Sequence, residues 1–314
     1  MRTPSTPNLT VLVPVYRSEK TIQLLYERTR GALDQAGVTF ELLLVEDAGG
    51  DHAWDIVQQI ARRDPRVRGL RLGRNFGQHN ALLCGIREAQ GDLIVTLDDD
   101  LQHPPEEIPK LLERIKSGAD VVYGKPARDR HSFWRNVTSV VTKSILKRVM
   151  GISNASDVGA FRAFHTHLRE AFVHFDHPYV NIDVLLSWGT SRFDSVFVGH
   201  DSRIEGKSTY TFRKLARHAG NLLTGFSSGP LRVASWLGFA AMFLGLSVLI
   251  YVLIVFFAVG RVVPGFAFLA SLIAIFSGTQ LFTIGIIGEY LARIHTSSLK
   301  RPAYLVQERT GGRA

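Results

Sequence analysis

Residues 93–107 read LIVTLDDDLQHPPEE. The run Leu93–Leu97 is apolar and β-branched, as a short buried strand is, and the Pro-Pro-Glu-Glu that closes the stretch is a helix start. Between them stand Asp98, Asp99 and Asp100. Adjacent carboxylates repel and are costly to desolvate, so a strand end that gathers three of them calls for a cation. Side chains alternate along extended chain, which sends Asp98 and Asp100 one way and Asp99 the other. Asp98, Asp100 and Gln102 together offer oxygens suited to Mg²⁺ or Mn²⁺, whereas Asp99 reads as structural.

Working outward, strands are expected at Leu9–Val15, Phe40–Val45, Val67–Leu72 and Ala119–Tyr123 as well, with helices over 19–36, 51–62, 77–89 and 105–116. The alternation predicts an α/β fold, a mostly parallel sheet covered by helices on both faces. Ligands of such sheets sit beyond the carboxyl ends of the strands. Pro14, Tyr16 and Glu19 follow the first strand and Asp47 the second, so several unusual side chains converge on the edge that holds Asp98 and Asp100. No G-x-G-x-x-G or Walker A loop follows the first strand; a divalent ion shared with phosphates would replace it.

The 314 residues carry a formal charge of +9 and a single cysteine, Cys84, which excludes an internal disulfide and fits a reducing compartment. No secretory signal pattern opens the chain, and the N-terminal part is expected to stay in the cytoplasm. Between Glu205 and Glu289 there is no acidic residue. Two apolar runs in that window, 236–259 and 266–288, are each long enough to cross a hydrocarbon core of roughly 30 Å as a helix. With Arg213, Lys214, Arg217 and Arg232 before them and Arg293, Lys300 and Arg301 after, the positive-inside rule places both ends of a hairpin, 231–290, in the cytoplasm. A tail, 291–314, follows. Residues 132–150 and 211–230 are amphipathic, and the first lacks any acid; both are expected to lie at the lipid headgroups. Gly278, Gly285 and Gly288 offer a face through which copies could form a homo-oligomer.

The stretches VLVPVY (11–16), LLLVEDAGGD (42–51), RNFGQHNA with the block through DDDLQHPPEE to YG (74–124), DVGAFRAF (157–164), GKSTY (206–210) and GEYLARI (288–294) resemble family 2 glycosyltransferases of the polyprenyl-phosphate type. The resemblance implies a GT-A domain over 1–210 that moves a sugar from a nucleotide diphosphate sugar to a polyprenyl phosphate in the cytoplasmic membrane, with no nucleic-acid partner. It implies donor contacts at Pro14, Tyr16, Glu19, Asp47, Asp98, Arg203 and Lys207, and a metal at Asp98, Asp100 and Gln102. Arg128, Arg135 and Ser139 resemble the residues that hold the acceptor phosphate. Asp157, with Asp100, falls at the reaction centre, where it would orient groups or balance positive charge on the sugar. A phosphate acceptor is already mostly ionised near neutral pH and needs no strong base. A processive synthase shares the nucleotide-binding domain but carries a Gln-x-x-Arg-Trp motif, which is missing here. A non-catalytic nucleotide-sugar or lipid-binding subunit has no use for mutually repelling acids.

Overall fold

The computed structural model describes residues 7–126, 157–177, 179–201, 229–259 and 265–311. The chain divides into two compact units, Met1–Leu215 with Arg301–Ala314, and Ala216–Lys300.

The first unit is built on β1 (Leu9–Val15), β2 (Phe40–Glu46), β3 (Val67–Leu72), β4 (Leu93–Thr96), β5 (Val121–Pro126), β6 (Arg162–His165), β7 (Phe193–Val198) and β8 (Val306–Thr310), in the sheet order β7-β5-β6-β4-β1-β2-β3-β8. Pairing is parallel for β1 with β2 and β4, β2 with β3, and β5 with β7. Only β6 and β8 run against their neighbours. All seven residues of β1 and all seven of β2 are buried, because a parallel strand with helices on both faces has no solvent side. Helices α1 (Ile22–Gln35), α2 (Ala53–Arg63), α3 (Gln78–Glu88), α4 (Ile108–Lys116) and α5 (Ile182–Gly189) cover it. In α2 the buried Trp54, Val57, Ile60 and Ala61 recur at helical spacing, and Ile108, Leu111, Leu112 and Ile115 do the same in α4.

The second unit contains α6 (Gly229–Val259) and α7 (Phe266–Ser298). Glycine at 245 lets the two approach, since a Cβ there would stand 2.7 Å from the Phe276 ring. Among the described residues one helix, Gly229–Ala258, is long and apolar enough to cross a membrane, where the sequence led to an expectation of two. Helix α7 continues beyond residue 290 to Ser298, and the expected tail then returns to the sheet as β8. There Glu308 accepts from Trp54 Nε1 at 3.0 Å and from Arg71 at 3.0 Å. Of the segments expected to be amphipathic, 132–150 and all of 211–230 but its last two residues lie outside the described residues, as do residues 260–264.

Candidate active site

Three strand ends meet at one edge. The Asp47 amide donates to Val15 O at 2.9 Å and the Leu97 amide to Leu12 O at 3.3 Å, so the segments after β1, β2 and β4 leave the sheet side by side. All three then turn through left-handed backbone at residues other than glycine: Arg17 (φ 58°), Ala48 (φ 50°) and Leu101 (φ 59°). Such conformations are uncommon and gather at functional edges. The β1 and β2 loops pack so closely that a Cβ at Gly49 would lie 2.7 Å from Arg17 N. Between the loops is a cavity of about 380 Å³ lined by Pro14, Tyr16, Asp47 and Asp98–Asp100, with Arg17, Ser18, Lys20, Asn75 and Gln78.

The acids at this edge divide by what already occupies their oxygens. Asp47 is buried, accepts from the amides of Phe76 (2.7 Å) and Gly77 (2.8 Å), and so holds the chain that leads into α3. Burial pushes its carboxyl upward and the two amides offset part of that. Asp99 accepts from the Tyr16 amide at 2.9 Å and from Ser18 Oγ, which pins the β1 loop to the β4 loop; burial raises its carboxyl too. Both partners belong to the loop after β1. Asp98 Oδ1 accepts from Gln78 Nε2 at 2.6 Å, and Asp100 Oδ1 from the Gln102 amide at 3.1 Å, and both remain partly exposed on the cavity.

Pro14, Tyr16, Asp47, Asp98 and Asp100 are therefore brought together. Glu19 is not. Past the left-handed turn at Arg17 its carboxylate accepts from the His52 amide (3.2 Å) while its own amide donates to Asp51 (3.0 Å), a reciprocal cap at the start of α2 and away from the cavity lining. Gln102 also stands outside that lining: its amide bonds Asp100 and its carbonyl accepts from the Asp201 amide at 2.9 Å. That last bond brings the chain after β7 against the acidic loop. Arg203 and Lys207 lie just beyond it, outside the described residues, as do Arg128, Arg135 and Ser139. Asp157 is described. Its Oδ2 accepts from Lys125 Nζ (3.0 Å) and Ser195 Oγ (2.7 Å).

Asn181 and Asp183 are both buried at the start of α5. Asn181 caps α5 through the Val184 amide, and Asp183 is buried in an ion pair with Arg162. Trp188, in the last turn of the same helix, is exposed and packs edge-on against Phe175.

Arg17, Lys20 and Asn75 come from loops with no periodicity and Gln78 opens α3, so none stands out in the sequence; the motif RNFGQHNA was the available signal for the last two. His103 does not stand out either. That ring packs 5.4 Å from Phe161 and 5.2 Å from His200, and its Nδ1 finds no hydrogen-bond partner among the described residues. Burial lowers its pKa to about 4, so it is neutral at physiological pH.

Among the described residues no three His, Cys, Asp or Glu side chains converge to hold a metal unaided. Asp98 and Asp100 supply two carboxylates beside open volume. That donor set fits a hard cation that draws its remaining oxygens from a bound diphosphate.

An eight-stranded, mostly parallel sheet with the acidic loop at its carboxyl edge is the GT-A type of nucleotide-sugar fold. The same fold occurs in glucosyl-3-phosphoglycerate synthase from Mycobacterium tuberculosis, solved in complex with Mn²⁺, uridine diphosphate and glucosyl-3-phosphoglycerate; the TM-score is 0.52 at 16% identity, covering 69% of this chain and 78% of that one. The model of Glycosyl transferase family 2 matches residues 10–172. The undecaprenyl-phosphate 4-deoxy-4-formamido-L-arabinose transferase of Photorhabdus laumondii is 34% identical over 306 residues, 96% of this chain and 94% of that protein. That of Proteus mirabilis is 34% identical over 307 residues, with the same coverage. The chain belongs to glycosyltransferase family 2, and it is an enzyme of that kind rather than a binding subunit.

Proposed function

We propose that the protein transfers a sugar, with inversion, from a nucleotide diphosphate sugar to undecaprenyl phosphate at the cytoplasmic face of the membrane. The observation that carries this reading is the similarity to undecaprenyl-phosphate transferases over 96% of the chain, through the helical unit as well as the sheet.

The residues assign themselves to steps by position. Pro14, Tyr16 and the loop held by Asp47 receive the nucleoside; Arg17, stacked 5.2 Å over the Tyr16 ring, closes that end of the cavity. Asp98 and Asp100, with Gln102, would hold a divalent ion that supplies positive charge to the diphosphate, and Arg203 and Lys207, in the sequence after β7, would add cations. When bound, that ion neutralises the charge that grows on the departing nucleoside diphosphate. Arg128, Arg135 and Ser139 bind the acceptor phosphate. Asp157 already accepts from an ammonium and a hydroxyl, an arrangement that suits a fixed counter-charge to the sugar more than a proton acceptor. Helix α6 and the charge-free first part of α7 form a membrane hairpin with both ends in the cytoplasm. The segments 132–150 and 211–230 lie at the headgroups.

The test is incorporation of label from a panel of uridine and guanosine diphosphate sugars into lipid extracted from membranes that contain the protein. Label in the lipid fraction, abolished by EDTA and restored by Mg²⁺ or Mn²⁺, is the expected result. No label from any donor, or label indifferent to EDTA, overturns the reading. For orientation, a cysteine placed at Gly260 should react with impermeant reagents only from the outer face.

A further inference from the structure

We propose that Lys125 is a further acceptor-phosphate residue, in addition to Arg128, Arg135 and Ser139: its ammonium, resting on Asp157 before the lipid arrives, is a cation that receives the incoming phosphate monoester. The proposal rests on the reading of the acceptor given above.

Lys125 is the fifth residue of β5. Both β4 and β5 run antiparallel to β6, so they are parallel to each other, and Lys125 emerges at the same edge as Asp98 and Asp100. One strand separates them, which puts the two sites about 10 Å apart across the sheet, at roughly 4.8 Å per strand. That is room for a diphosphate on one side, an acceptor phosphate on the other and a sugar carbon between. The ammonium lies 3.0 Å from Asp157 Oδ2 and 4.8 Å from the centre of the Phe197 ring, and the lysine side chain is 30% exposed.

Charge decides what such a lysine does. The described residues of this edge hold Asp98, Asp99, Asp100 and Asp157 against Arg17 and Lys20 at the β1 cavity and Lys125 beside Asp157, and a phosphate monoester brings a further charge of about −1.5 to −2 near pH 7. It cannot settle there without a cation. A lysine paired at a part-exposed site with one carboxylate is held weakly. Its flexible stem and three donors suit an exchange of partners, from one carboxylate to a phosphate with more charge and more acceptor oxygens. The face of Phe197 favours the cation at this position in either state.

The exchange also fits the balance of the reaction. An oxygen of the acceptor phosphate bonds to the anomeric carbon. The bond from that carbon to the distal phosphate of the donor breaks, and its electron pair leaves with the nucleoside diphosphate. No proton moves, and the acceptor changes from a near-dianionic monoester to a monoanionic diester. The product therefore holds the ammonium less strongly than the substrate did, and Asp157 recovers it as the lipid departs.

The test is binding of undecaprenyl phosphate and, separately, of undecaprenol, both in detergent micelles, to the full chain. The wild type should prefer the phosphate. Lys125→Gln should lose about tenfold or more of that preference, the scale of one charge-assisted hydrogen bond, and Lys125→Arg should restore most of it. Asp157→Asn should strengthen phosphate binding, since it releases the lysine from its resting partner. A lysine that only props Asp157 would leave the preference untouched in all three variants. A wild type without preference overturns the acceptor reading, and this proposal with it. A preference that survives Lys125→Gln overturns the proposal alone. Lys125 is partly exposed, so its variants should melt near the wild type and report on binding rather than on folding.

Discussion

One cross-strand row runs through the sheet just below the active edge, and it changes character half-way. At one end it is Leu43 of β2 beside Leu12 of β1. It then continues as Thr96 of β4, Arg162 of β6, Tyr123 of β5 and Ser195 of β7. Arg162 is 2% exposed; its Nε donates to Thr96 Oγ1 at 3.1 Å, and its Nη1 pairs with Asp183 of α5, to which Tyr123 Oη also donates at 2.9 Å. Thr96 Oγ1 in turn donates to Ala160 O at 2.6 Å. The apolar half supports its cavity by packing, which many sequences of the right volume satisfy. The polar half is held by a set of mutually dependent bonds. A buried ion pair of this kind adds little net stability but penalises every arrangement that breaks it. The β1–β2 half is thus a general platform, and the half from β4 to β7 is a specified one.

The sharpest way to break that contrast is at the edge itself. Asp100→Ala should lower kcat/KM about 10³-fold or more, on the scale of losing a preorganised charge in a transition state, while the melting temperature stays within a degree or two. The carboxylate lines a cavity and is not part of the core. Sugar lipid formed equally by this variant would remove Asp100 from the catalytic machinery.

Arg162→Met comes next. Removing one partner leaves Asp183 buried and uncompensated, a loss of about 3–5 kcal/mol. Replacing both, as Arg162→Met with Asp183→Leu, should recover part of it. Chemical unfolding of the purified chain in detergent reads both numbers. A loss below about 1 kcal/mol for the single variant would mean that the polar half is no more specified than the apolar one.

The same contrast explains what could be read from the sequence. β1 to β4 and the four helices α1 to α4 were legible because a buried parallel strand is a plain apolar run and a helix on its face repeats at helical spacing. The acidic loop was legible because its chemistry is dense. Arg162 was not: within DVGAFRAF it reads as a surface residue, and only Asp183, on a helix that begins after it, makes its burial tolerable. β8 (VQERT) was hidden by its polarity, since an edge strand is joined through its backbone while its side chains remain partly in water. Glu19 was placed at the donor edge because it follows the first strand; the left-handed turn at Arg17, invisible to pattern, precedes its bond to the start of α2. The positions of Arg17 and Asn75 were lost in the same way, each being set by loop geometry.

The smallest effect tests the contrast from its other side, through an ion pair at the outer edge of the apolar half. Arg309 of β8 donates to Glu88 of α3 at 2.8 Å, with the arginine 55% and the glutamate 29% exposed. The hydrogen bond from Arg309 holds the Glu88 carboxyl below the usual glutamate range; burial opposes this, and the charges of Arg309 and Arg68 assist it. A carboxyl with a depressed folded-state pKa contributes stability above its unfolded value, about 4.3, and that contribution disappears as the pH falls through the folded value. Because the pair is largely in water, screening reduces it to less than about 1 kcal/mol. Wild type and Arg309→Gln should therefore differ by a few tenths to about 1 kcal/mol at pH 7, and the difference should shrink on acidification below about pH 4.3 and on addition of salt. A gap as large as that of Arg162→Met, or one that grows toward low pH, would show that the outer edge is held by specified charge as well, and the distinction between the two halves would fail.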